Sequence, residues 1–362
     1  MYLTERLIGV ISYTIVLLAV CFFVKRCNIN NLKRILFVYL IILVLMAFFF
    51  VPPLGADLTR INRILDSYHY YSFSDLISEA KITSTPMANL YYWCIAKINI
   101  KGLISACTTF IVFNNLFYII IDYSKKNKVN PKSVALMIFV IMSSGFFMEV
   151  LSTIRDMLAY SIIARCFYNE FYNKKNMLKN IPYYIFAFLF HQSVIALIGI
   201  RLIYLTFFEK QMKNYLKFIV LIVILVLSMQ LSKYMIMSVD KYNLYLNNKT
   251  YSLIWEYIKG GIESLIILIT IFNYKKINKN NFYKYNLLIM LLSLLYLNQY
   301  SIFVRFTYFN MFMMMPIFIE SFNYYINKKK ILIIIMLSVI MLGLACTRCD
   351  LSSLKFFEIE VW

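Results

Sequence analysis

Glycine and proline are scarce in this chain, and charged residues are few. The 362 residues include 8 glycines, 6 prolines and 15% charged residues, whereas 62% are hydrophobic. Soluble domains contain about a quarter charged residues, so this composition excludes an ordinary soluble protein. Because helix-breaking residues are so rare, most of the chain is expected to form regular secondary structure.

Motifs for nucleotide, dinucleotide and zinc chemistry are also missing. The chain contains no Walker A loop and no GxGxxG, HExxH, GxSxG or zinc-ligand pattern. ATP hydrolysis, hydride transfer and zinc hydrolysis therefore have no support, and we expect neither a cofactor nor a metal.

Cys346 and Cys349 are spaced like a redox or metal pair, but they have no second pair and no nearby histidine, which favours a structural role. The remaining cysteines that lie in or beside apolar runs are typical of packing residues: Cys21, Cys27, Cys94, Cys107 and Cys166.

Long apolar runs dominate what the sequence does contain. In lipid, only helices and closed barrels satisfy their own backbone, and barrel strands would alternate polar and apolar residues. These runs are continuous, so they predict helices. The expected fold is all-α, a polytopic transmembrane helix bundle of about ten to twelve membrane segments, in one domain over residues 1–362. The predicted spans are Leu7–Val24, Ile35–Pro53, Leu103–Ile121, Ser133–Val150, Thr153–Tyr172, Lys217–Met237, Gly260–Tyr274, Tyr285–Tyr300, Ile302–Tyr324 and Ile331–Cys346.

The net charge of +20 falls in short clusters between the apolar runs. The positive-inside rule places such clusters on the cytoplasmic side. Both termini and two longer segments, 55–101 and 238–259, are then expected outside, and the first of these is a large outer loop. The confinement of the charge to these breaks argues against nucleic-acid binding. The six clusters begin at Lys25, Lys125, Lys174, Lys210, Lys275 and Lys328.

Residues 181–208 lie between two basic clusters, so this segment is expected to enter and leave on the same face. It is too short for two ideal spans but long enough for a tight hairpin or two short helices. His191 lies near its middle, and Ser193 could cap a helix that starts at Val194. We favour a membrane hairpin with His191 at an outward tip. The alternative is one long span, which would break the charge pattern.

Ionisable residues at membrane depth are energetically expensive and are therefore candidates for function. The predicted topology collects several of them at the outer face. Arginine is suited to phosphate because its planar guanidinium donates two parallel hydrogen bonds and stays charged. The candidates are Arg155 and Asp156 at the start of the fifth helix, His191, Arg305, Tyr308, Asp57, Arg60, Arg63 and Glu79.

Each main candidate also has a structural interpretation. Arg155 and Asp156 are adjacent and could neutralise each other at the interface. Arg305 could simply extend its guanidinium toward water. His191 could be a satisfied polar residue in a helix break, and Asp57 could cap a turn.

Residues 152–159 read STIRDMLA, and after a lysine-rich turn residues 186–193 read FAFLFHQS. In order and spacing these segments resemble the EpsG family of polytopic proteins, which is related to Wzy oligosaccharide repeat-unit polymerases. That family typically has Ile-Arg-Gln-x-Leu-Ala followed by Leu-Ala-x-Leu-Phe-His-x-Ser. The chain departs from this pattern at Asp156, where the family has Gln.

Two further elements resemble the family. Gly55, Ala56 and Asp57 match its Gly-x-Asp at the start of the first outer loop, although Ile61 stands where the family often has Tyr. More loosely, the segment from Arg305 to Tyr308 resembles a late Arg-x-x-x-Tyr-like element.

The resemblance implies polymerisation of polyprenyl-diphosphate-linked oligosaccharide repeat units at the outer face of the bacterial cytoplasmic membrane. Such a glycosyltransferase-type enzyme would serve O-antigen, capsule or exopolysaccharide synthesis, and a chain-length regulator and a flippase are candidate partners. The donor carries its energy in the sugar–diphosphate bond, so no nucleotide is needed. Arg155 and Arg305 would hold the diphosphate, and His191 or Asp57 would accept a proton. Secondary substrate contacts would come from Arg60, Arg63, Glu79, Asp156 and Tyr308.

Two other functions stay open. A lipid-linked-oligosaccharide flippase or transporter would be expected to show inverted repeats or paired broken helices, and the sequence shows neither. An O-antigen ligase-type glycosyltransferase has nearly the same requirement for arginines, and only its acceptor differs.

Overall fold

A computed structural model describes residues 2–52, 57–205, 250–272, 281–295, 300–325 and 329–347. These residues form sixteen α-helices and two short 3-10 turns, with no strand among them, which confirms the all-α prediction. The helices are α1 Tyr2–Arg26, α2 Leu32–Phe48, α3 Asp57–Tyr70, α4 Phe73–Ala80, α5 Pro86–Ile98, α6 Gly102–Lys126, α7 Pro131–Ser143, α8 Phe146–Ser152, α9 Ile154–Phe171, α10 Ile181–Phe190, α11 Val194–Tyr204, α12 Thr250–Phe272, α13 Asn281–Leu295, α14 Tyr300–Met313, α15 Met315–Tyr325 and α16 Lys329–Thr347. The predicted span Lys217–Met237 lies outside the described residues.

Several helices have the length and apolar character of membrane spans. Ile8–Arg26, Ile29–Phe48 and Gly102–Lys126 qualify singly, and the bent pair of α7 and α8 is a fourth if it is one span. On α1, Ile8 and Phe23 are 63% and 60% exposed, as expected for a helix face turned to lipid. The chain is therefore a multi-pass membrane protein. The total of about ten to twelve segments stays a prediction.

Two predicted spans are interrupted. The run Ser133–Val150 breaks after Ser143, and α7 and α8 meet at an angle of 48°. Gly145 stands at this break with φ 79°, a left-handed conformation that favours glycine. The run Ile302–Tyr324 breaks at Met314, because Pro316 in the first turn of α15 has no N–H to donate and its ring clashes with the preceding helical turn.

Residues 57–98, which belong to the predicted outer loop, form three helices, α3 to α5. Ser72 and Asp75 form a capping box at the start of α4. The Tyr68 hydroxyl donates to Glu79 Oε1 at 2.7 Å, and the Trp93 indole donates to the Tyr71 carbonyl at 3.1 Å. These contacts join the three helices into one packed unit beside the start of α6. Gly55 and Ala56 lie outside the described residues.

Helices α6 and α9 run parallel through the centre. Asn115 Nδ2 donates to Ser161 Oγ at 3.1 Å, and seven residues further along each helix the Tyr168 hydroxyl donates to Asp122 Oδ2 at 2.7 Å. Helices α14 and α15 follow the same direction: the Phe309 ring contacts Tyr160, and Glu320 accepts from Tyr123.

One end of this bundle collects basic turns. The Asn130 backbone N–H donates to Asn323 Oδ1 at 3.1 Å, and the turn between α1 and α2 lines a shared cleft with Lys125 and Lys128. The first, second and last basic clusters therefore border the same end, which is the arrangement that the positive-inside rule requires. Its assignment to the cytoplasm stays a prediction.

Helices α10 and α11 run in opposite directions along α9. Glu170 near the end of α9 accepts from Asn180 just before α10 (2.9 Å) and from Arg201 in α11 (3.1 Å). Between them, His191 contacts Asp156 at the start of α9, about 21 Å from Glu170 along a helix of 1.5 Å rise per residue. The chain thus travels the length of α9 and returns. That this pair is a hairpin in the membrane over 181–208 stays a prediction, and residues 206–208 lie outside the described part.

Candidate functional site

Asp156 is the centre of an ionic cluster at the end of the bundle opposite the basic turns. Its Oδ1 lies 2.5 Å from His191 Nε2, and its Oδ2 lies 3.5 Å from Arg305 Nε. The three residues come from α9, the break between α10 and α11, and α14. The side chains of Asp156, His191 and Arg305 are 13%, 15% and 44% exposed. The cluster is therefore largely enclosed but open on the Arg305 side.

Local backbone structure places these side chains. Asp156 is in the first turn of α9, where the helix dipole favours a negative charge. His191 ends α10 in an extended conformation, with φ −153° and ψ 119°, and its N–H still donates to the Ala187 carbonyl at 2.9 Å. This abrupt end of the helix lets the imidazole turn toward α9.

A chain of hydrogen bonds continues from His191. Its Nδ1 lies 2.6 Å from Ser193 Oγ, which lies 2.8 Å from the Tyr160 hydroxyl. The expectation that Ser193 caps α11 is wrong, because its hydroxyl makes no cap hydrogen bond and contacts these two side chains instead. Tyr160 is not among the predicted site residues, although its position one turn after Asp156 places both side chains on one face of α9.

Arg155 is half-buried beside this cluster. Within the described part of the chain its guanidinium makes no hydrogen bond and no ion pair, and it lies within electrostatic range of Asp156 and Tyr92. Asp156 makes its close contacts with His191 and Arg305, whereas Arg155 acts on it through its charge without a hydrogen bond. Arg155 is a cation available to an anionic ligand.

The other candidates lie around the rim or apart from the cluster. Asp57 Oδ1 pairs with Arg60 Nη2 at 3.3 Å, and both side chains are about half exposed. Arg63 is exposed on α3, and Tyr308 is partly buried one turn after Arg305. Glu79 instead joins helices α3, α4 and α5, because its Oε1 accepts from Tyr68 (2.7 Å) and Asn89 (3.5 Å).

Tyr92 in α5 adds a buried hydroxyl to this region. Burial raises its pKa to about 12, and the neighbouring guanidinium groups of Arg155 and Arg60 act in the opposite direction. The hydroxyl therefore stays protonated and is able to donate a hydrogen bond at any physiological pH.

The part of the chain that the structure describes contains no group of three or more His, Cys, Asp and Glu side chains arranged to hold a metal ion. Cys349 and the side chain of Cys346 lie outside that part. Free thiols are found at Cys21, Cys27, Cys94, Cys107 and Cys166; Cys166 is buried, whereas Cys94 is exposed and does not fit the packing role expected for it.

These features define a multi-pass helical membrane protein with a polar, arginine-containing site at one end of its bundle. The chain belongs to the EpsG family, whose family model matches residues 97–356 and thus most of the sequence. It is a membrane protein of polysaccharide biosynthesis. The matched region contains Arg155, Asp156, His191 and Arg305 but starts after Asp57. No curated protein and no solved structure matches the chain.

Proposed function

We propose that this protein polymerises polyprenyl-diphosphate-linked oligosaccharide repeat units at the outer face of the bacterial cytoplasmic membrane. The observation that supports this most strongly is the guanidinium of Arg155, which has no hydrogen-bond or ion-pair partner among the described residues and lies beside the cluster of Asp156, His191 and Arg305. Two arginines at the mouth of an enclosed polar site suit a diphosphate, whose oxygens accept paired hydrogen bonds from guanidinium groups.

In the proposed reaction, a hydroxyl of the incoming repeat unit attacks the anomeric carbon of the growing glycan. The new glycosidic bond forms as the bond from that carbon to the diphosphate oxygen breaks. The lipid diphosphate leaves with the electron pair, and Arg155 and Arg305 stabilise the charge that develops on it. The energy comes from the sugar–diphosphate bond, so the reaction balances without a nucleotide.

The proton of the attacking hydroxyl goes to His191 in this mechanism. Asp156 holds Nε2 at 2.5 Å and stabilises the imidazolium that forms. Nδ1 lies 2.6 Å from the Ser193 hydroxyl. Ser193 therefore either passes the proton from the substrate hydroxyl to Nδ1 or is displaced from Nδ1 by the substrate hydroxyl. Asp57 is the second candidate for the base, and it is half exposed beside Arg60.

The test is reconstitution of purified variants with lipid-linked repeat units, followed by gel analysis of the products. We expect a ladder of polymer sizes from the parent protein and strongly reduced chain extension from Arg155→Lys, which keeps the charge but loses the two-pronged hydrogen bonding. The matched control is Arg165→Lys in the same helix, because Arg165 donates to Asn115 Oδ1 at 2.9 Å and does not contact the cluster. Equal ladders from both variants would remove the proposed role of Arg155 and, with it, the main support for the function.

A lipid-linked-oligosaccharide flippase is the second candidate. The interruptions at Gly145 and Met314 favour it, because broken helices are a feature of transporters. The same reconstituted vesicles distinguish the functions. Transfer of intact repeat units between leaflets without chain extension would indicate a flippase, and a single transfer to a lipid or protein acceptor would indicate a ligase-type enzyme.

A further inference from the structure

Tyr92 is a buried residue whose hydroxyl has no partner within the described residues. The residue is 3% exposed, and its hydroxyl oxygen makes no hydrogen bond there. A phenyl ring would fill nearly the same space without burying an unsatisfied polar group, which costs folding free energy. The hydroxyl is therefore a structural liability unless something outside the chain accepts from it.

Other tyrosines at this end of the bundle do have partners. Tyr91 contacts Thr108 Oγ1 at 3.0 Å, Tyr160 contacts Ser193 Oγ at 2.8 Å, and Tyr68 donates to Glu79 at 2.7 Å. Within the described residues, Tyr92 thus differs from these three tyrosines at the same end of the bundle.

The charged groups around Tyr92 are those of the candidate site. The Tyr92 hydroxyl lies within electrostatic range of two positive charges, on Arg155 and Arg60, and of two negative charges, on Asp57 and Asp156. The helix that carries Tyr92 is also held against the hairpin tip. The preceding Tyr91 packs its ring 5.8 Å from Phe190, and Gln192 Nε2 donates to the Ser84 carbonyl at 3.0 Å.

We propose that the Tyr92 hydroxyl donates a hydrogen bond to a phosphate oxygen of the lipid diphosphate, next to the oxygens that Arg155 holds. This inference rests on the proposed function and adds a substrate contact from α5. Tyr92 precedes residue 97, where the family match begins. The proposed diphosphate site therefore combines a residue of α5 that lies before the matched region with arginines that lie within it. An uncharged donor here strengthens anion binding without adding to the positive charge.

The test measures binding of a polyprenyl diphosphate without sugar to the full-length protein in lipid nanodiscs. Tyr92→Phe removes only the hydroxyl. We expect its Kd to rise about tenfold to a hundredfold, as for a lost hydrogen bond to a charged group. Its melting temperature without ligand should equal or exceed that of the parent, because the unsatisfied hydroxyl is gone. A simple packing role would not produce these two opposite effects.

Tyr39→Phe is the matched control. Tyr39 is 1% exposed and its hydroxyl also has no partner among the described residues, but it packs on Phe117 away from the site. Its Kd for the same probe should equal that of the parent. Uncharged polyprenol should bind parent and Tyr92→Phe equally, which assigns the effect to the phosphate groups.

The outcomes separate the two proposals. Weaker binding by Arg155→Lys together with unchanged binding by Tyr92→Phe would overturn the role of Tyr92 alone. Unchanged binding by both variants would overturn the diphosphate site itself. A loss of ligand-free stability in Tyr92→Phe would show that the hydroxyl has a structural partner, and it would also overturn the inference.

Discussion

The two ends of α9 each carry a carboxylate cluster, and the clusters differ in accessibility. At the far end, Glu170 accepts from Asn180, Tyr184 and Arg201, and the side chains of Arg201 and Glu170 are 4% and 2% exposed. At the near end, Asp156 joins His191 and Arg305, which is 44% exposed. Both clusters are contacted by the same α10–α11 segment, at its base and at its tip.

This difference separates a structural ion pair from the cluster that we propose as a binding site. The Glu170 cluster satisfies its carboxylate within the protein and leaves no approach for a ligand. A buried pair of this kind does little for net stability compared with apolar packing, but the loss of one partner is costly. The Asp156 cluster is open on one side, and next to it lies Arg155, which has no ion-pair partner in the part of the chain that the structure describes. The first joins α9 to the start of α10 and to α11, and the second is the cluster to which we assign the proposed chemistry.

The largest stability effect is expected from Arg201→Met. It leaves the Glu170 carboxylate buried without its cation, which should lower the free energy of unfolding by about 3–5 kcal/mol. The measurement is denaturant unfolding of the detergent-solubilised protein. The double variant Glu170→Gln with Arg201→Met should recover much of this loss. A single variant as stable as the parent would contradict the structural role of the cluster.

Asp156→Asn should instead lower the rate of polymer extension and leave stability nearly unchanged. It keeps the size of the side chain but removes the charge that orients His191 and stabilises its imidazolium. We expect the rate of polymer extension to fall by about 10²–10⁴-fold, with a melting temperature close to that of the parent. A variant that unfolds but retains its rate per folded molecule would place Asp156 with Glu170 as a structural residue.

Gly102→Ala tests packing away from both clusters. A Cβ at Gly102 would collide with the Phe48 carbonyl oxygen at the end of α2, whereas one at Gly199 would meet no heavy atom within 4 Å. We therefore expect Gly102→Ala to lower the free energy of unfolding by about 1–3 kcal/mol. Gly199→Ala, which also replaces a glycine within a helix, should not destabilise the protein. The rate per folded molecule should be unchanged in both, since neither glycine contacts the Asp156 cluster.

The smallest effect is expected at Asp75, an exposed carboxylate with purely local partners. Hydrogen bonds from the Ser72 hydroxyl and backbone lower the pKa of Asp75. Because the pKa of Asp75 is lower in the folded state, the charge of Asp75 stabilises the fold fully at pH values above its pKa in the unfolded chain. This stabilisation is lost as pH falls through the folded-state pKa of Asp75. Asp75→Asn should melt slightly lower than the parent at neutral pH, and the difference should vanish in acid. A difference that persists in acid would show that the cap acts independently of charge.

Sequence reasoning found the residues of the open cluster but not their pairing. The positions of the basic clusters and the lengths of the apolar runs placed Arg155, Asp156, His191 and Arg305 at one end of the bundle, because both signals can be read directly along the chain. Tyr92 escaped notice because its role depends on distances between helices that no local pattern encodes, whereas Tyr160 did have a local signal in its spacing of four residues from Asp156. The break at Met314 did have a local signal in Pro316, whereas the bend at Gly145 required knowledge of a backbone angle.

The hydrogen bond from Gln192 Nε2 to the Ser84 carbonyl oxygen joins the break between α10 and α11 to the chain just before α5. Every amino acid offers a carbonyl at that position, so this contact makes no demand on side-chain identity at residue 84. Substitution of Ser84 should therefore leave the segment before α5 attached beside the Asp156 cluster.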